Sequence, residues 1–505
     1  MNCSSVKLLL KTYLKLDLSL RHKLLKHWCA IQQAGYGNSL GIVSTCARPL
    51  HFSAPRAHAQ KDDLSVLLTP QEVTATLRKN EFNQELSSGS VKSFDSNQLA
   101  SNDPIEDTRS EAICKMTTGM LIGVYDGHGG PACAQVISKR LLNYIAAALL
   151  PLDLLQKYAK QEPRESLLES FNDRVDIVQD LKIIYEDSLK SYLVDLVHNR
   201  VTTKQKNDVR TSMEQSILRL DSDISREVVE PFELSGEVNP KTLSVALSGA
   251  VVCVTHIEGP HLHVANVGDC NAVLGTMTED KEWIAKKITQ EHNSENLEEL
   301  KRIWSEHPDN ERKTVIRRDR LLGELAPLRS LGDYRYKWPV DILSKLAVPL
   351  IGQKAIPANY LTPPYLSAKP DIYYHRLAPK DKFLIIASDG LWDMLTPLQA
   401  VKLVGEHMKG KVFFNPLKLP KKNIQLGDIK ELLSHRKESL KSKPKDRNAA
   451  THLIRHAIGG TEYGVDHSRL AHLLSLTSDV CRMFRDDMTV TVVYFDSEFL
   501  RQCPT

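Results

Sequence analysis

Apolar residues along the chain recur with two spacings, one typical of helices and one typical of strands. Ala134, Ile137, Leu141, Ile145 and Leu149 follow one another at three- or four-residue intervals and predict one long helix. The charged stretch 175–229 has the same spacing and predicts further helices. Short apolar runs predict strands at residues 119–125, 248–256, 262–267, 272–274, 382–387 and 488–495. Strands mixed with helix pairs predict a layered α+β domain, and no repeat of fixed period is found.

The first helix of the folded region is predicted near Thr69. Thr69 is suited to an N-cap, Pro70 to the first helical position and Glu72 to the first turn, so a helix should run to about Arg78. A polar stretch at residues 87–90 follows, and the core of the domain is expected from there onward. We therefore divide the chain into a leader at 1–60, a catalytic domain at 61–499 and a tail at 500–505.

The first sixty residues have a composition of their own. They contain eight Lys or Arg and a single acidic residue, Asp17. Leu8, Leu9, Tyr13 and Leu14 fall on one helical face beside basic residues. A basic, acid-poor, amphipathic start is typical of an organelle transit peptide, and a disordered basic tail is the alternative.

Composition excludes several classes of protein. Of 505 residues, 42% are hydrophobic and 25% charged, as in an ordinary globular protein, and a net charge of +4 gives no reason to expect nucleic acid as a partner. No apolar run reaches the roughly 18 residues that a transmembrane helix needs. The nine cysteines include no CxxC pair, so free thiols in a reducing compartment are expected.

Aspartates at three strand ends are the candidate chemistry. Asp126, Asp389 and Asp486 each adjoin a predicted strand, and glycine follows the first two, at Gly127 and Gly390. Carboxylates held by a rigid sheet could bind Mg²⁺ or Mn²⁺, which favour oxygen ligands and can activate a water toward a phosphoryl group. Taken one at a time, Asp-Gly pairs are also common in plain turns.

Six segments in this order resemble the type 2C family of metal-dependent protein serine/threonine phosphatases. They are the segments at residues 105–109, 123–130, 264–269, 328–333, 387–393 and 485–490, among them Gly123-Val124-Tyr125-Asp126-Gly127-His128-Gly129-Gly130. The resemblance extends over roughly residues 62–495. It implies a central β-sandwich of two antiparallel sheets flanked by helices, with two Mg²⁺ or Mn²⁺ ions in a cleft at one end.

The resemblance also implies residue roles. Asp126 should bridge both metals and Gly127 should offer its carbonyl, with Asp389 and Asp486 completing the second site. Glu106 and Asp107 should act through waters. His128 is expected to be the general acid for the leaving serine oxygen, and a locally packed turn histidine is the alternative. Cys114, Cys133, Cys253 and Cys270 are expected to pack as small apolar residues.

A second set of segments is similar to one branch of the family, the pyruvate dehydrogenase phosphatases. These segments lie at residues 94–100, 290–293, 319–323, 362–366 and 448–457. The resemblance implies a mitochondrial matrix enzyme that dephosphorylates and reactivates the pyruvate dehydrogenase component. It also implies docking to the lipoyl domain of the acetyltransferase core, aided by Ca²⁺, and pairing with a regulatory subunit. No EF-hand loop is present in the sequence, so it does not locate a Ca²⁺ site.

Some features depart from the wider family. Asn102 stands where many members have an arginine that pairs with phosphate. Affinity for the substrate should therefore depend more on protein docking than on a direct contact with its phosphate. Cys270-Asn271 replaces a common Ser-Arg pair. Two insertions are expected, near 337–364 and 411–447. Residues 418–447 carry ten Lys or Arg against four Asp or Glu, which suits either an acidic partner or a solvated loop.

Two rival functions remain open at this stage. One is a scaffold of the same fold with little or no catalysis, which the complete carboxylate set disfavours. The other is a phosphatase of the same fold that acts on a different mitochondrial phosphoprotein.

Overall fold

The structure, a computed structural model, describes residues 67–161, 165–172, 181–203, 208–414 and 425–504. The predicted leader lies outside these residues. Residues Leu68–Thr505 form one compact unit.

Strands occupy the middle of the fold. In chain order they are β1 Phe82–Glu85, β2 Val91–Leu99, β3 Thr108–Cys114, β4 Met120–His128, β5 Leu168–Ser170, β6 Gly249–Glu258, β7 His261–Val267, β8 Asn271–Met277, β9 Trp283–Lys287, β10 Ile316–Arg317, β11 Arg320–Leu321, β12 Leu331–Gly332, β13 Asp371–Arg376, β14 Asp381–Ala387, β15 Gly460–Thr461, β16 Gly464–Val465 and β17 Met488–Phe495.

Helices lie around the strands. They are α1 Pro70–Arg78, α2 Ala132–Leu149, α3 Leu152–Lys160, α4 Lys182–Thr203, α5 Val209–Ser235, α6 Pro240–Leu247, α7 Leu297–Glu306, α8 Arg312–Val315, α9 Val340–Leu346, α10 Val348–Ile351, α11 Asp389–Trp392, α12 Pro397–Met408, α13 Leu426–Ser439, α14 Ala449–Gly459, α15 His467–Leu474, α16 Ser478–Cys481 and α17 Ser497–Gln502.

Two antiparallel sheets make the predicted sandwich. The first has the order β1-β2-β17-β14-β8-β9, and the second has the order β13-β7-β6-β4-β3-β5 with β12 beside β6. Alternate residues of each strand face opposite sides, which creates two kinds of core. On β4, Ile122 and Val124 face the interior between the sheets, whereas Leu121 and Tyr125 pack toward the helices that cover the second sheet. The predicted α+β sandwich with flanking helices is confirmed.

The predicted first helix is also confirmed. Thr69 Oγ1 accepts a hydrogen bond from Glu72 N at 3.3 Å, and the Glu72 carboxylate accepts one from Thr69 N at 2.7 Å, which together form a capping box. The expected start of the core needs correction. Residues 87–90 lie between β1 and β2, and α1 packs with Val73 and Leu77 against the first sheet, so ordered structure begins earlier than the polar stretch suggested.

The described cysteines are free thiols, and five of the six are buried. Cys114, Cys133, Cys253 and Cys270 are buried and unpaired, as expected. Burial raises the pKa of Cys114 to about 11, which keeps its thiol protonated and unreactive at neutral pH. Among the helices of the described ranges, none has the length and apolar content to cross a bilayer.

A cluster of three histidines lies beneath the first sheet. The His407 and His452 rings are 4.8 Å apart between centroids, and the His452 and His456 rings are 4.2 Å apart. His452 is 1% exposed, and neither of its ring nitrogens has a hydrogen-bond partner among the described residues. Burial lowers the pKa of His452 well below its ordinary range and that of His456 to about 4. The rings of His452 and His456 are therefore neutral in the folded protein at physiological pH.

This cluster predicts a loss of stability in mild acid. Between about pH 6.5 and pH 4 the unfolded chain binds protons that the folded His456 does not, so the free energy of unfolding should fall as the pH is lowered. A pKa difference of about 2.5 corresponds to roughly 3 kcal/mol over that window. In urea unfolding at pH 7 and pH 5, His456→Leu should show a shallower fall than the parent. The exposed His198→Leu is the control and should keep the full fall; an unchanged slope in His456→Leu would contradict the prediction.

Candidate active site

Four strand ends meet at one end of the sandwich. The carboxyl end of β4 pairs with the amino end of β3, with Thr108 opposite Tyr125, and the carboxyl end of β14 pairs with the amino end of β17, with Ala387 opposite Val490. Asp126 follows Ile122 and Val124 in the alternation of β4 and so belongs to the face that looks toward the first sheet. The two halves of the predicted acidic site therefore come from different sheets.

The structure places the three aspartates differently from simple strand ends. The strand predicted to stop at residue 125 continues through His128, and Asp126 pairs with Val251 within it. Asp389 is the first residue of α11, directly after β14, and Asp486 lies two residues before β17. The corrected position of Asp126 fixes its backbone more firmly than a turn would, because pairing with Val251 of β6 holds it.

Glycine follows two of these aspartates because another chain segment passes close by. A Cβ on Gly127 would collide with the Glu106 carbonyl oxygen, and a Cβ on Gly390 would collide with the Asp487 carbonyl oxygen. The sequence left open that these Asp-Gly pairs are plain turns. The observed role of the glycines is to let the acidic segments around Glu106 and Asp487 approach the strand ends.

Asp107 connects the two sheets. It is 3% exposed, and its Oδ2 accepts a hydrogen bond of 2.7 Å from Ser388 Oγ, at the end of β14. Burial raises the pKa of Asp107 well above its usual value, and the neighbouring charges of Asp487 and Asp486 raise it further. Asp107 therefore lies inside the acidic cluster, where a bound cation would favour its charged form.

Asp126 lies near the other carboxylates of the cluster. Burial raises the pKa of Asp126 well above its ordinary range, and so does repulsion from Asp107, Asp389, Asp269 and Asp486. Like charges in a poorly hydrated place destabilise one another unless a cation joins them.

This set of donors suits hard divalent cations. Its ligating atoms are carboxylate oxygens and nearby backbone carbonyls, and Mg²⁺ and Mn²⁺ prefer oxygen over nitrogen and sulfur. Within the described ranges, no group of three or more Asp, Glu, His or Cys side chains stands ready in a metal-binding geometry. Magnesium commonly takes only one or two protein carboxylates and keeps several waters, so such a group is not required. The residues present fit the predicted ions.

Asp487 organises the segment that carries Glu106. Its Oδ1 accepts hydrogen bonds from Ser101 N at 2.5 Å and Asn102 N at 2.9 Å. Its Oδ2 accepts from Glu106 N at 2.8 Å and Asn102 Nδ2 at 3.1 Å. Asn102 is thus engaged with a buried carboxylate, at the position where many family members have a phosphate-pairing arginine.

Glu106 faces the glycine-rich turn after β4. Its Oε1 accepts a hydrogen bond of 2.6 Å from Gly130 N. Burial is the main reason why the pKa of Glu106 is raised, and repulsion from Asp487 and Asp486 adds to it, against the lowering effect of the Gly130 hydrogen bond.

His128 is the last residue of β4 and so lies in a strand, not in the turn that follows it. Its Nε2 lies 2.5 Å from Asp333 Oδ2. Burial alone would lower the pKa of His128, but the charge and hydrogen bond of Asp333, with Asp269 and Glu106 nearby, raise it above its usual value. The side chain is 26% exposed, which leaves part of the ring open to the cleft.

Several residues of this site were missed at the sequence level. Asp269, Asp333 and Asp487 stand in the motifs Val-Gly-Asp, Leu-Gly-Asp and Arg-Asp-Asp, which carried the family resemblance but were given no role. Ser388 precedes Asp389 and was not singled out. The signal for Asp269 and Asp333 was an aspartate after glycine, and the signal for Asp487 was a second aspartate after Asp486. Only the packing of distant segments shows what each one contacts.

Cys270-Asn271 now has a structural account. Cys270 is fully buried near Asp126 and Asp269. Asn271 Nδ2 donates to Glu291 Oε1 at 2.7 Å, and its Oδ1 accepts from Thr289 Oγ1 at 3.1 Å. This pair completes the core at the start of β8, and the contacts give it no catalytic part.

Comparison with known proteins agrees with this geometry. A family model described as Protein phosphatase 2C matches residues 169–427, about half of the chain. The chain belongs to the protein phosphatase 2C family, which is metal-dependent.

Several similar curated proteins share one designation. The chain is 41% identical over 455 residues to the mitochondrial pyruvate dehydrogenase (acetyl-transferring) phosphatase 1 of Rattus norvegicus, which covers 85% of this chain and 83% of that protein. It is 42% identical over 465 residues to the mitochondrial phosphatase 2 of the same designation from Homo sapiens, which covers 87% and 85% respectively. The Saccharomyces cerevisiae protein of that designation is 28% identical over 478 residues.

Proposed function

We propose that this chain is a mitochondrial protein serine/threonine phosphatase that removes phosphate from the pyruvate dehydrogenase component and so reactivates the pyruvate dehydrogenase complex. The observation that carries the substrate is the 41% identity to a pyruvate dehydrogenase phosphatase over 85% of the chain. The converging carboxylates support hydrolysis and disfavour a scaffold without catalysis.

The substrate is tested by comparison with an unrelated phosphoprotein. Purified phosphorylated pyruvate dehydrogenase complex and phosphorylated casein would be offered at equal phosphoserine concentration. The complex should be dephosphorylated at least about tenfold faster, since a docked substrate is presented at high effective concentration. Equal rates would favour the alternative, a phosphatase of broader or different substrate.

We assign the metal-binding role to carboxylates of both sheets. Asp126 and the Gly127 carbonyl would serve two Mg²⁺ or Mn²⁺ ions together, and Asp389 and Asp486 would complete the second site. Glu106 and Asp107 would act through waters. When bound, such ions supply an activated water and neutralise charge on the phosphoryl oxygens. Isothermal titration with each ion tests the assignment, and unchanged affinity in Asp389→Asn would contradict it.

His128 would protonate the leaving serine oxygen. The partly exposed ring at the edge of the acidic cluster supports this role, because an alkoxide is a poor leaving group unless it receives a proton. His128→Gln should therefore lower the kcat for phosphoserine substrates by about 10²-fold or more. A kcat equal to that of the parent would exclude the role.

Recognition should depend on docking because Asn102 is occupied by Asp487. We expect Asn102→Arg to improve KM for a short phosphopeptide by about tenfold, the value of one charge-assisted phosphate contact. The KM for the whole complex should change less, because docking already anchors it. The kcat must be measured separately, since a tighter grip can slow phosphate release. The control is Asn102→Ala, which loses the contact with Asp487 without gaining one with phosphate; a peptide KM unchanged in Asn102→Arg would contradict the prediction.

Docking is assigned to the insertion at 337–364. Val340, Leu350 and Leu361 there are 40%, 56% and 64% exposed, which is unusual for such side chains. An apolar ledge of this kind suits the lipoyl domain of the acetyltransferase core, with Ca²⁺ aiding the contact, and a regulatory subunit could bind the basic insertion at 411–447. The test is the binding of isolated lipoyl domain to the parent and to Leu350→Glu, each with and without Ca²⁺. Equal binding by the parent and the variant would contradict the role of the ledge in docking.

Location in the mitochondrial matrix is proposed from the leader. A precursor should be imported and lose a basic segment before Asp62, because its first sixty residues have transit-peptide composition. Mass spectrometry of the endogenous protein from purified matrix measures the mature N-terminus. An intact Met1 in a cytosolic fraction would contradict both the leader and the location.

A further inference from the structure

The contact between His128 and Asp333 joins the candidate general acid to a loop from a distant part of the chain. Asp333 is 3% exposed, and its Oδ2 lies 2.5 Å from His128 Nε2. An ionised carboxylate only accepts hydrogen bonds, so the proton of this contact belongs to Nε2. Nδ1 is then the ring nitrogen that is left to face a substrate.

The backbone around this pair is shaped to bring the two side chains together. A Cβ on Gly249, opposite His128 in β6, would collide with both His128 Nε2 and Asp333 Oδ2, so glycine is required there. Asp333 itself adopts a left-handed conformation, with φ of 51°, which aspartate tolerates better than most residues. Its amide donates to Ser248 O at 2.9 Å. The carboxylate is thus fixed against β6 beside the histidine.

Two further contacts hold the Asp333 carboxylate and its loop. Ser330 Oγ donates to Asp333 Oδ2 at 2.5 Å, so the same oxygen receives two donors. Asp221 on α5 accepts from Gly332 N at 2.8 Å and from Lys337 Nζ at 2.9 Å. The loop that presents Asp333 is therefore anchored on both sides, through side chains that are themselves largely buried.

We propose that Asp333 is the positioning residue of the reaction: it fixes the ring of His128 so that Nδ1 points to the leaving oxygen, and Ser330 fixes Asp333. The proposal rests on the general-acid role given to His128 under the proposed function. Asp333 does not touch the substrate and acts only through the histidine.

The proton balance of the step is simple. A water oxygen forms the new bond to phosphorus and releases its proton to solvent. The bond from phosphorus to the serine oxygen breaks, and its electron pair stays on that oxygen, which takes the proton from Nδ1. The imidazole is left neutral, and its Nε2 hydrogen is still donated to Asp333 in a hydrogen bond.

Leaving-group chemistry distinguishes this role from a structural one. Serine leaves as a poor alkoxide and needs the proton, whereas 4-nitrophenolate leaves readily without it. Asp333→Asn, which presents either an oxygen or an amide to the ring, should lower the kcat for a phosphoserine peptide by about 10²-fold and the kcat for 4-nitrophenyl phosphate by less than about threefold. Ser330→Ala should show the same selectivity with a smaller loss of about tenfold.

A double mutant tests whether Asp333 acts through His128. Asp333→Asn should cause no further loss of peptide activity when added to His128→Gln, because residues that act as one unit are not additive. The control is Asp381→Asn, which disrupts another buried pair, in which Asp381 Oδ2 lies 3.0 Å from His375 Nε2. This variant should not change the ratio of the kcat values for the two substrates.

The outcomes separate the inference from the function on which it rests. Equal losses on both substrates in Asp333→Asn and Ser330→Ala, or a full additional loss on the His128→Gln background, would overturn the positioning role while leaving the phosphatase intact. If His128→Gln itself lowers the kcat for both substrates equally, the general-acid role fails and the positioning role fails with it. If Asp333→Asn does not fold, the selectivity of Ser330→Ala decides the question.

Discussion

Asp126→Asn should abolish phosphatase activity and, without divalent cations, make the protein more stable. Asparagine keeps the size of the side chain but cannot carry the charge that interacts with Asp107, Asp389, Asp269 and Asp486. Loss of several kcal/mol of transition-state stabilisation corresponds to a fall in kcat of about 10³-fold or more. Because the remaining carboxylates then repel one another less, the Tm in EDTA at pH 7.5 should rise by a few degrees, roughly 1 kcal/mol of relieved repulsion.

Two measurements check this pair of effects. Phosphate release in Mg²⁺ gives the kcat, and thermal unfolding in EDTA and in Mg²⁺ gives the stability. The parent should be stabilised by Mg²⁺ and the variant much less so. Asp153→Asn, at an exposed position on α3, is the control and should alter neither property. Near-normal turnover of Asp126→Asn in physiological Mg²⁺ would show that this carboxylate does not hold the ions.

Asp487→Asn should reduce both stability and activity. Each carboxylate oxygen of Asp487 accepts two hydrogen bonds, Oδ1 from Ser101 N and Asn102 N, and Oδ2 from Asn102 Nδ2 and Glu106 N. In either orientation the new amide group faces two donors. Buried donors without an acceptor cost about 1–3 kcal/mol each, so a loss of roughly 3 kcal/mol of stability is expected.

The effect on catalysis follows from the segment that Asp487 holds. Glu106 and Asp107 lie at its end, and displacing them by a fraction of an ångström should lower kcat by about 10²-fold. Urea unfolding and peptide kinetics measure the two effects. Asn102→Ala, which removes only one of the four hydrogen bonds, should cost less than about 1 kcal/mol. If Asp487→Asn matched the parent in both measurements, the four hydrogen bonds of Asp487 would not matter for stability or catalysis. Asp126→Asn and Asp487→Asn therefore impair activity with opposite effects on the apo protein's stability.

Local patterns predicted six of the strands and the helices α1, α2, α4 and α5, but not the longer strands β2 and β3. The strand at 488–495 has the predicted bounds, and α1 begins after Thr69 because its capping residues are adjacent in sequence. The strand ending near Tyr125 was predicted too short, since Asp126 and Gly127 resemble a turn and only pairing with β6 shows that they continue the strand. The short β5, at Leu168–Ser170, was missed because three residues leave no periodic signal.

The site was predictable where one segment carries its own chemistry and not where two distant segments meet. Asp126 and Asp389 could be selected from their strand and glycine contexts. Asp333 could not be linked to His128, 205 positions earlier, because no pattern in either segment predicts that the two residues are in contact. Likewise, Gly127 and Gly390 look like turn residues until the Glu106 and Asp487 backbones are seen against them. Three-dimensional proximity decides such roles.

The central claim is that an acidic, cation-dependent site in this chain dephosphorylates the pyruvate dehydrogenase component. It is tested most directly by measuring phosphate release and recovery of dehydrogenase activity from purified phosphorylated complex, with the full chain in Mg²⁺, in Mn²⁺ and in EDTA, and with Asp126→Asn in Mg²⁺. We predict release and reactivation with the parent protein in either cation, and neither in EDTA nor with the variant. Equal release in EDTA, or no release from the complex under conditions in which the parent hydrolyses a phosphopeptide, would contradict the account.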